Sequence, residues 1–172
     1  MMRVYAKYYI NKNNVCFQEE DDVCLNNEWN AIDDIGKVFK GRKLTEQIYS
    51  ETENGYIKVL RYLMDINGVG ALRVAEFCSY ENDHADKYKT LYNDKLLEFK
   101  ESLSEGDVID KNKIDKVVRL LLRTDIWCRL YAQKKHFIVI PSSDFYMYVI
   151  CKRLDEKDAD AVAKIMKIRF EG

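Results

Sequence analysis

Residues 125–153 constrain the fold more than any other part of the sequence. They contain three runs of β-branched and aromatic residues, DIWCRLYA, HFIVI and FYMYVICKR, joined by the short polar connectors QKK and PSSD. Antiparallel hairpins need such connectors, and the single proline of the chain, Pro141, falls in one of them. The segment predicts a three-stranded antiparallel meander. Its last strand carries apolar side chains on both faces, which predicts a central strand or one covered on both sides.

Hydrophobic periodicity outside the meander predicts several amphipathic helices and two further strands. The helices are predicted at 31–39, 50–67, 86–103, 112–123 and 155–167, and the strands at 3–10 and 71–80, with a loop at 11–22. Ser50 and Glu53 have the spacing of a capping box, and Gly68 favours the end of that helix. We therefore expect an α+β fold in which a mainly antiparallel sheet, including the meander, packs against these helices.

Length and composition predict a single domain spanning residues 1–172. Nearly half of the residues are apolar and a third are charged, which is enough for one hydrophobic core and little for two. The first residues lack the long apolar core of a secretory signal, and no run of about 18 apolar residues indicates a membrane span. The five cysteines are odd in number and scattered, so we expect a cytoplasmic protein without a disulfide framework.

The charges are unevenly distributed along the chain. Residues 14–36 contain seven acids and no lysine or arginine, whereas residues 111–135 contain eight basic residues and two acids. Opposed charged surfaces favour steered encounters with charged partners, although two solvated faces would give the same pattern.

The sequence contains no motif for metal, cofactor or phosphate binding. It has no CxxC, HxxxH or HExxH, only two histidines, and a GVGA segment that lacks the Lys and Ser/Thr of a phosphate-binding loop. Cys128, His136 and Asp144 fall on or beside neighbouring predicted strands and are the one candidate for nucleophilic catalysis. An inert core cysteine explains Cys128 better, so we expect neither a cofactor nor an enzyme.

A nucleic-acid-binding accessory domain is an alternative function. The predicted helix 112–123 is basic on its polar face, and Trp127, Tyr146 and Tyr148 could stack on bases. The near-zero net charge and the absence of an aromatic ribonucleoprotein motif or a helix-turn-helix signature argue against it.

Four segments of the second half resemble bacterial polymorphic-toxin and contact-dependent growth inhibition immunity proteins. These are LRVAEF (72–77), SEGDVID (104–110), VVRLLLRTDIWCRL (117–130) and DFYMYV (144–149). The resemblance implies a small cytoplasmic protein that binds the C-terminal domain of a cognate toxin and blocks its active site or its access to substrate. Many such toxins are basic nucleases, for which an acidic inhibitor surface is complementary.

Under this hypothesis nine residues are candidates for toxin binding. The charged candidates are Glu19, Glu20, Asp21, Asp22, Asp33 and Asp34. Trp29 is a candidate aromatic anchor, with packing onto the core as the equal alternative. Tyr146 and Tyr148 are candidates if no helix covers their face of the sheet, and core residues otherwise.

Overall fold

A computed structural model of the chain describes residues 6–10, 15–17, 29–142 and 145–167. The strands in these ranges are β1 (Ala6–Ile10), β2 (Val15–Phe17), β3 (Val38–Phe39), β4 (Arg42–Lys43), β5 (Ala71–Ser79), β6 (Val108–Asp110), β7 (Ile126–Ala132), β8 (Phe137–Pro141) and β9 (Met147–Cys151). The α-helices are α1 (Glu46–Ile66), α2 (His84–Lys87), α3 (Asp94–Ser102), α4 (Ile114–Leu122) and α5 (Glu156–Lys167).

Seven of the strands form one antiparallel sheet in the order β2-β1-β9-β8-β7-β5-β6. Because β7, β8 and β9 are consecutive neighbours, the predicted meander is confirmed. Strand β9 lies between β1 and β8, as its two apolar faces predicted. Pro141 ends β8 instead of lying in the connector, a position at which its missing N–H is tolerated. The predicted α+β class with a mainly antiparallel sheet is confirmed.

Helix α1 begins more than one turn before the predicted start. Thr45 is its N-cap, and the Thr45 hydroxyl accepts a hydrogen bond from the backbone N–H of Ile48 at 3.2 Å. Tyr49 in the added turn is fully buried, and its hydroxyl donates to the backbone carbonyl of Leu122 at 2.9 Å. The predicted capping box is wrong because Glu53 lies inside the helix, where its carboxylate binds an arginine of α4.

The prediction of one continuous helix at 86–103 is wrong, because non-helical residues separate α2 from α3. Asn93 caps α3, and its side chain accepts a hydrogen bond from the backbone N–H of Leu96 at 3.0 Å. Within the break, the backbone carbonyl of Leu91 accepts a hydrogen bond from the buried guanidinium of Arg123. The break therefore provides a partner for a buried cation, which the local spacing of apolar residues does not reveal.

The helix predicted at 31–39 is also wrong. One turn of 3-10 helix forms at Ile32–Asp34, and the β3–β4 hairpin follows it. Lys40 and Gly41 connect the two strands with φ values of 49° and 79°. Positive φ at both central residues is the geometry of a tight two-residue hairpin, for which glycine at the second position is well suited.

Within the seven-stranded sheet, two strands form in segments with no strand prediction, and both lie at its edges. Strand β2 lies within the predicted loop 11–22 and pairs with β1, and β6 precedes α4 and pairs with β5. Each is three residues long. Strands this short show too little alternation to be recognised in a sequence, and they depend on the neighbouring strand for their hydrogen bonds.

The helices and one face of the sheet share a single core. The apolar stripe of α4 is buried as its spacing predicted, and Tyr49, Tyr56 and Trp29 surround Phe145 with ring centroids 4.9–5.4 Å apart. The Tyr56 hydroxyl donates to the carbonyl of Phe145 at 2.5 Å. Aromatic pairs of this kind contribute about 0.5–1.5 kcal/mol each beyond the burial of their area. This cluster holds the start of β9 against α1.

Helix α5 forms as predicted and packs against α1. The side chains and backbone N–H groups of Asp155 and Asp158 exchange hydrogen bonds across the first turn of α5. The Tyr62 hydroxyl of α1 donates to Asp158 at 2.7 Å. A polar contact therefore fixes the position of this helix beside its apolar packing.

Candidate functional site

The face of the sheet that is turned away from the core carries aromatic and aliphatic side chains. On β7, β8 and β9 nearly every second residue is buried in the core, and most of the intervening side chains are half-buried. A one-sided antiparallel sheet ordinarily has polar residues at such positions. Six of them here are apolar or aromatic, and we call them the open face: Trp127, Tyr131, Ile138, Ile140, Tyr148 and Ile150.

The strand register brings five of the six open-face residues together, and Trp127, which pairs with Cys78 of β5 and is separated from Tyr131 by exposed Arg129, lies at the end of this surface. Ile138 lies directly opposite both Tyr131 and Ile150, and Ile140 lies opposite Tyr148. The Cβ atoms of such partners are about 4.5–5.5 Å apart, so their side chains form one surface. Contiguous apolar surface of this kind marks sites of interaction with other molecules, whereas scattered exposed hydrophobic residues do not.

A groove of about 520 Å³ adjoins the open face at Trp127, at the ends of β5 and β8. Leu121, Ile126 and Pro141 supply apolar lining. The polar lining comes from a loop after β5 and from the ends of α4 and β8, and it consists of Glu81, Asn82, His84, Thr124 and Ser142. The groove therefore joins an apolar lining to several polar groups, the composition expected of a binding site.

Behind the groove, His84 lies between two carboxylates. It is 7% exposed, with Nδ1 3.6 Å from Asp125 Oδ1 and Nε2 3.6 Å from Asp33 Oδ2. Within the described residues, His84 Nδ1 is buried and makes no hydrogen bond. Buried polar atoms rarely lack a hydrogen bond, so His84 Nδ1 is a nitrogen that could still bind a further group.

Asp125 is a buried acid whose hydrogen bonds come from uncharged groups. It is 1% exposed and accepts hydrogen bonds from the Asn82 amide at 2.9 Å and from the Tyr92 hydroxyl at 2.7 Å. Burial and the nearby Asp125 carboxylate both raise the pKa of Tyr92, so its hydroxyl remains a donor. The side chains of Asp125 and His84 are thus held in place directly behind the groove.

The acidic residues predicted to bind the toxin lie in different environments or outside the described residues. Glu19, Glu20, Asp21 and Asp22 lie outside the described residues. Asp34 closes its own turn by accepting hydrogen bonds from the backbone N–H groups of Asn30 and Ala31, and it pairs with Lys37. Asp33 is half-exposed beside His84, and a hydrogen bond from Lys87 at 2.6 Å lowers its pKa.

The aromatic candidates also divide. Trp29 is 8% exposed and packs against Tyr49 and Phe145, so the structure places it in the core and not at the surface. Tyr148 lies on the open face. Tyr146 is half-buried just before β9, and its carbonyl accepts a hydrogen bond from the backbone N–H of Ser142 at 2.9 Å, which connects it to the groove.

Two arginines of the alternative nucleic-acid surface are engaged within the protein. Arg123 is buried and donates to both carboxylate oxygens of Glu53, at 2.6 and 2.7 Å. Arg119 donates to Glu53 at 2.6 Å and to Asn54 at 2.5 Å. Burial is the largest single influence and lowers the pKa of Arg123, but the hydrogen bonds and the negative charge of Glu53, together with Tyr92 and Tyr49, outweigh it and raise the pKa overall. These cations stabilise the α1–α4 contact and are not directed at a ligand in solvent.

The candidate nucleophile and base are not brought together. Cys128 is fully buried on the core side of β7, and burial raises the pKa of its thiol to about 12. His136 is exposed in the turn that follows β7. Since Ala132 pairs with Phe137 at that turn, Cys128 lies four residues down the strand, about 13 Å away along its axis. Asp144 lies outside the described residues.

Sequence reasoning missed most of this surface. The open-face isoleucines alternate with core residues in HFIVI and YVIC, so both strand faces were seen to be apolar, but nothing in the sequence shows which one the helices cover. The groove side chains come from three separate segments. One local signal was present: residues 80–86 read YENDHAD, an acidic loop around one of only two histidines.

No family model, curated protein or solved structure matches this chain. Among the described residues, no group of three or more His, Cys, Asp or Glu side chains is placed to hold a metal ion. No helix in the described part of the chain is long and apolar enough to cross a membrane.

Proposed function

We propose that this chain is a cytoplasmic immunity protein that binds the C-terminal domain of a cognate bacterial toxin and neutralises it without chemistry of its own. The observation that carries the proposal is the open face, an aromatic and aliphatic surface on three paired strands of the sheet. The resemblance of residues 72–77, 104–110, 117–130 and 144–149 to immunity proteins supplies the class of partner.

The residue types of the open face suit tight protein binding. Tryptophan and tyrosine are enriched among the residues that dominate binding energy at interfaces, especially near the centre of a patch. Trp127, Tyr131 and Tyr148 are each flanked by residues of a paired strand, so their backbone is already ordered before a partner arrives. A preordered surface loses less conformational entropy on binding, which strengthens the complex.

Charge supports a basic partner. The segment 14–36 has seven acids and no lysine or arginine in its sequence; its two described acids, Asp33 beside His84 of the groove and Asp34, pair with lysines from outside the segment. An acidic surface raises the rate of encounter with a basic protein and suppresses binding to acidic ones. Nuclease domains bind polyanions through basic surfaces. Occupation of such a surface by this chain would exclude the nucleic acid substrate.

The first experiment identifies the partner. Tagged protein is used to capture its partner from a lysate of its own organism, and the captured protein is identified by mass spectrometry. We expect one stoichiometric partner that matches the C-terminal part of a much larger secreted protein, and we expect that expression of this fragment kills cells unless the present chain is co-expressed. Recovery of nuclease-sensitive RNA or DNA instead, or a captured protein without toxicity, would refute the proposal.

The second experiment tests the surface. In the Trp127→Ala and Tyr148→Ala variants, the Kd for the captured domain should rise by about 30-fold or more each, the effect of losing an interface hot spot. A Val38→Ala/Val108→Ala variant is the matched control, since both valines are exposed apolar residues outside the open face. If the control weakens the complex as much as Trp127→Ala does, binding does not use the open face.

A further inference from the structure

We infer that the groove beside Trp127 receives a basic side chain, an arginine or a lysine, of the bound toxin domain. The inference rests on the proposed function and adds the chemistry of the contact. Three features of the described residues support it: aromatic walls, an acidic rim and a buried acid–histidine pair at the back.

The aromatic walls are Tyr80 and Trp127. Tyr80 is 46% exposed, one of the few large apolar side chains with so much surface in solvent. Trp127 is half-buried and belongs both to the groove and to the open face. A guanidinium or ammonium group near the face of such a ring is attracted by its electron density, and tryptophan is the strongest partner of this kind. An arginine beside an apolar contact residue of the toxin could therefore enter the groove while that residue stays on the open face.

The rim of the groove is acidic. Glu81 lines it, Asp83 is exposed at the end of the same loop and Asp86 is exposed in α2, which follows, and residues 80–86 contain no lysine or arginine. Lys87 is paired with Asp33 at 2.6 Å, whereas the Lys100 ammonium, which donates to the neutral carbonyl of Tyr80 at 2.9 Å, keeps its charge and is outnumbered by these three acids. The field at the mouth of the groove therefore favours a cation.

The back of the groove has binding capacity that the fold leaves unused. His84 is more than nine-tenths buried, and its Nδ1 makes no hydrogen bond within the described residues. Asp125 lies 3.6 Å from this nitrogen and receives hydrogen bonds only from uncharged groups among those described. A buried carboxylate with uncharged donors favours the approach of a positive charge, because interactions between charges are stronger away from bulk water.

A probe titration tests the groove without the toxin. The full chain, labelled with ¹⁵N, is titrated with N-acetyl-arginine methylamide and, separately, with the isosteric but uncharged N-acetyl-citrulline methylamide. The chain has two tryptophans, so the indole N–H signal of Trp127 reports on the groove and that of buried Trp29 is an internal control. We expect a saturable shift at Trp127 with the arginine probe, at least about fivefold weaker binding of the citrulline probe, and no shift at Trp29.

Two double variants, each of which removes two acids, test the groove in the complex with the toxin domain. Glu81→Gln/Asp83→Asn removes two acids at the rim, and Glu51→Gln/Asp160→Asn removes two exposed acids on α1 and α5. The rim variant should weaken toxin binding about tenfold, and the control should not change it.

The outcomes separate the inference from the proposed function. Equal binding of both probes, or no shift at Trp127, overturns the inference, and so does a rim variant that binds the toxin as tightly as the unaltered chain. In these cases the proposed function stands if Tyr148→Ala, a change at a residue that does not line the groove, still raises the Kd for the toxin domain by about 30-fold. If no toxin is captured, the proposed function fails, and the titration alone still decides whether the groove binds a guanidinium group.

Discussion

Loss of the Glu53 carboxylate should destabilise the protein more than most single substitutions. Glu53 is fully buried and accepts hydrogen bonds from the buried Arg123 and from Arg119. In Glu53→Met, the Arg123 guanidinium keeps the carbonyl of Leu91 as a partner but loses the carboxylate that accepts two of its hydrogen bonds. Removal of one member of a buried ion pair costs about 3–5 kcal/mol, because the remaining charge stays desolvated.

This loss is large compared with the total free energy of unfolding, which is about 5–15 kcal/mol for a protein of ordinary stability. We expect Tm to fall by roughly 6–20 °C. The double variant Glu53→Met/Arg123→Met removes both charges, so it should be at least about 2 kcal/mol more stable than Glu53→Met alone. Glu51→Gln, on the exposed side of the same helix, is the control and should stay within about 0.5 kcal/mol of the unaltered protein.

Guanidinium denaturation followed by far-ultraviolet circular dichroism measures these differences. The midpoint should shift in Glu53→Met while the slope with denaturant concentration stays unchanged, which shows that stability and not the compactness of the unfolded state has altered. A cost below about 1 kcal/mol for Glu53→Met, or a double variant less stable than the single one, would refute the assignment of a buried charge to this position.

Two further outcomes test other parts of the structure. Cys128 is buried and its pKa is raised to about 12, so iodoacetamide at pH 8 should label exposed Cys78 rapidly and Cys128 only after unfolding. Peptide mapping by mass spectrometry measures both labelling rates. Rapid labelling of Cys128 in the folded protein would revive the enzyme alternative. The hydrogen bond from Tyr62 lowers the pKa of Asp158, so the stabilisation that this acid provides is present above about pH 4 and is lost as pH falls through the lowered value. Asp158→Asn should therefore cost about 1.5–3 kcal/mol at pH 7, and this cost should shrink as the pH falls below about 4 in denaturant titrations; a cost independent of pH would contradict this assignment.

The elements that could be predicted from the sequence are those whose pattern is local. The meander follows from alternating apolar runs with polar connectors, and α4 and α5 follow from apolar residues repeated every three to four positions. In these segments, the residues whose spacing predicts a strand or helix are the same residues that form it. Register and strand order in the second half of the chain then follow from short connections.

The elements that could not be predicted depend on distant partners. The helix predicted at 86–103 is interrupted where the Leu91 carbonyl receives Arg123, a residue 32 positions later. Glu53 looked like part of a helix cap because its true partner lies 70 positions away. Apolar spacing carries no information about such polar contacts, since a charged residue in a helix has the same periodicity whether it is solvated or buried.

The candidate site was predictable only in part for the same reason. Tyr148 was a candidate from strand alternation, but its role depended on which face the helices would cover. His84 and Asp125 are 41 positions apart and meet only because β5 and β7 are adjacent. Trp29 has the residue type of an interface anchor, and a contact with Phe145, far away in sequence, places it inside.

Strand β1 pairs with β9, a strand that is far from it in the sequence. Ala6 lies opposite Cys151 and Ile10 opposite Met147, so the paired residues are separated by about 140 positions. Closing a loop of that length costs about 4 kcal/mol of chain entropy before the first contact forms. At translation speeds of about 5–20 residues per second, β1 is synthesised roughly seven to thirty seconds before β9. Strand β1 therefore has no β9 partner while the residues between them are synthesised, and the β1–β9 pairing can form only after β9 has been made.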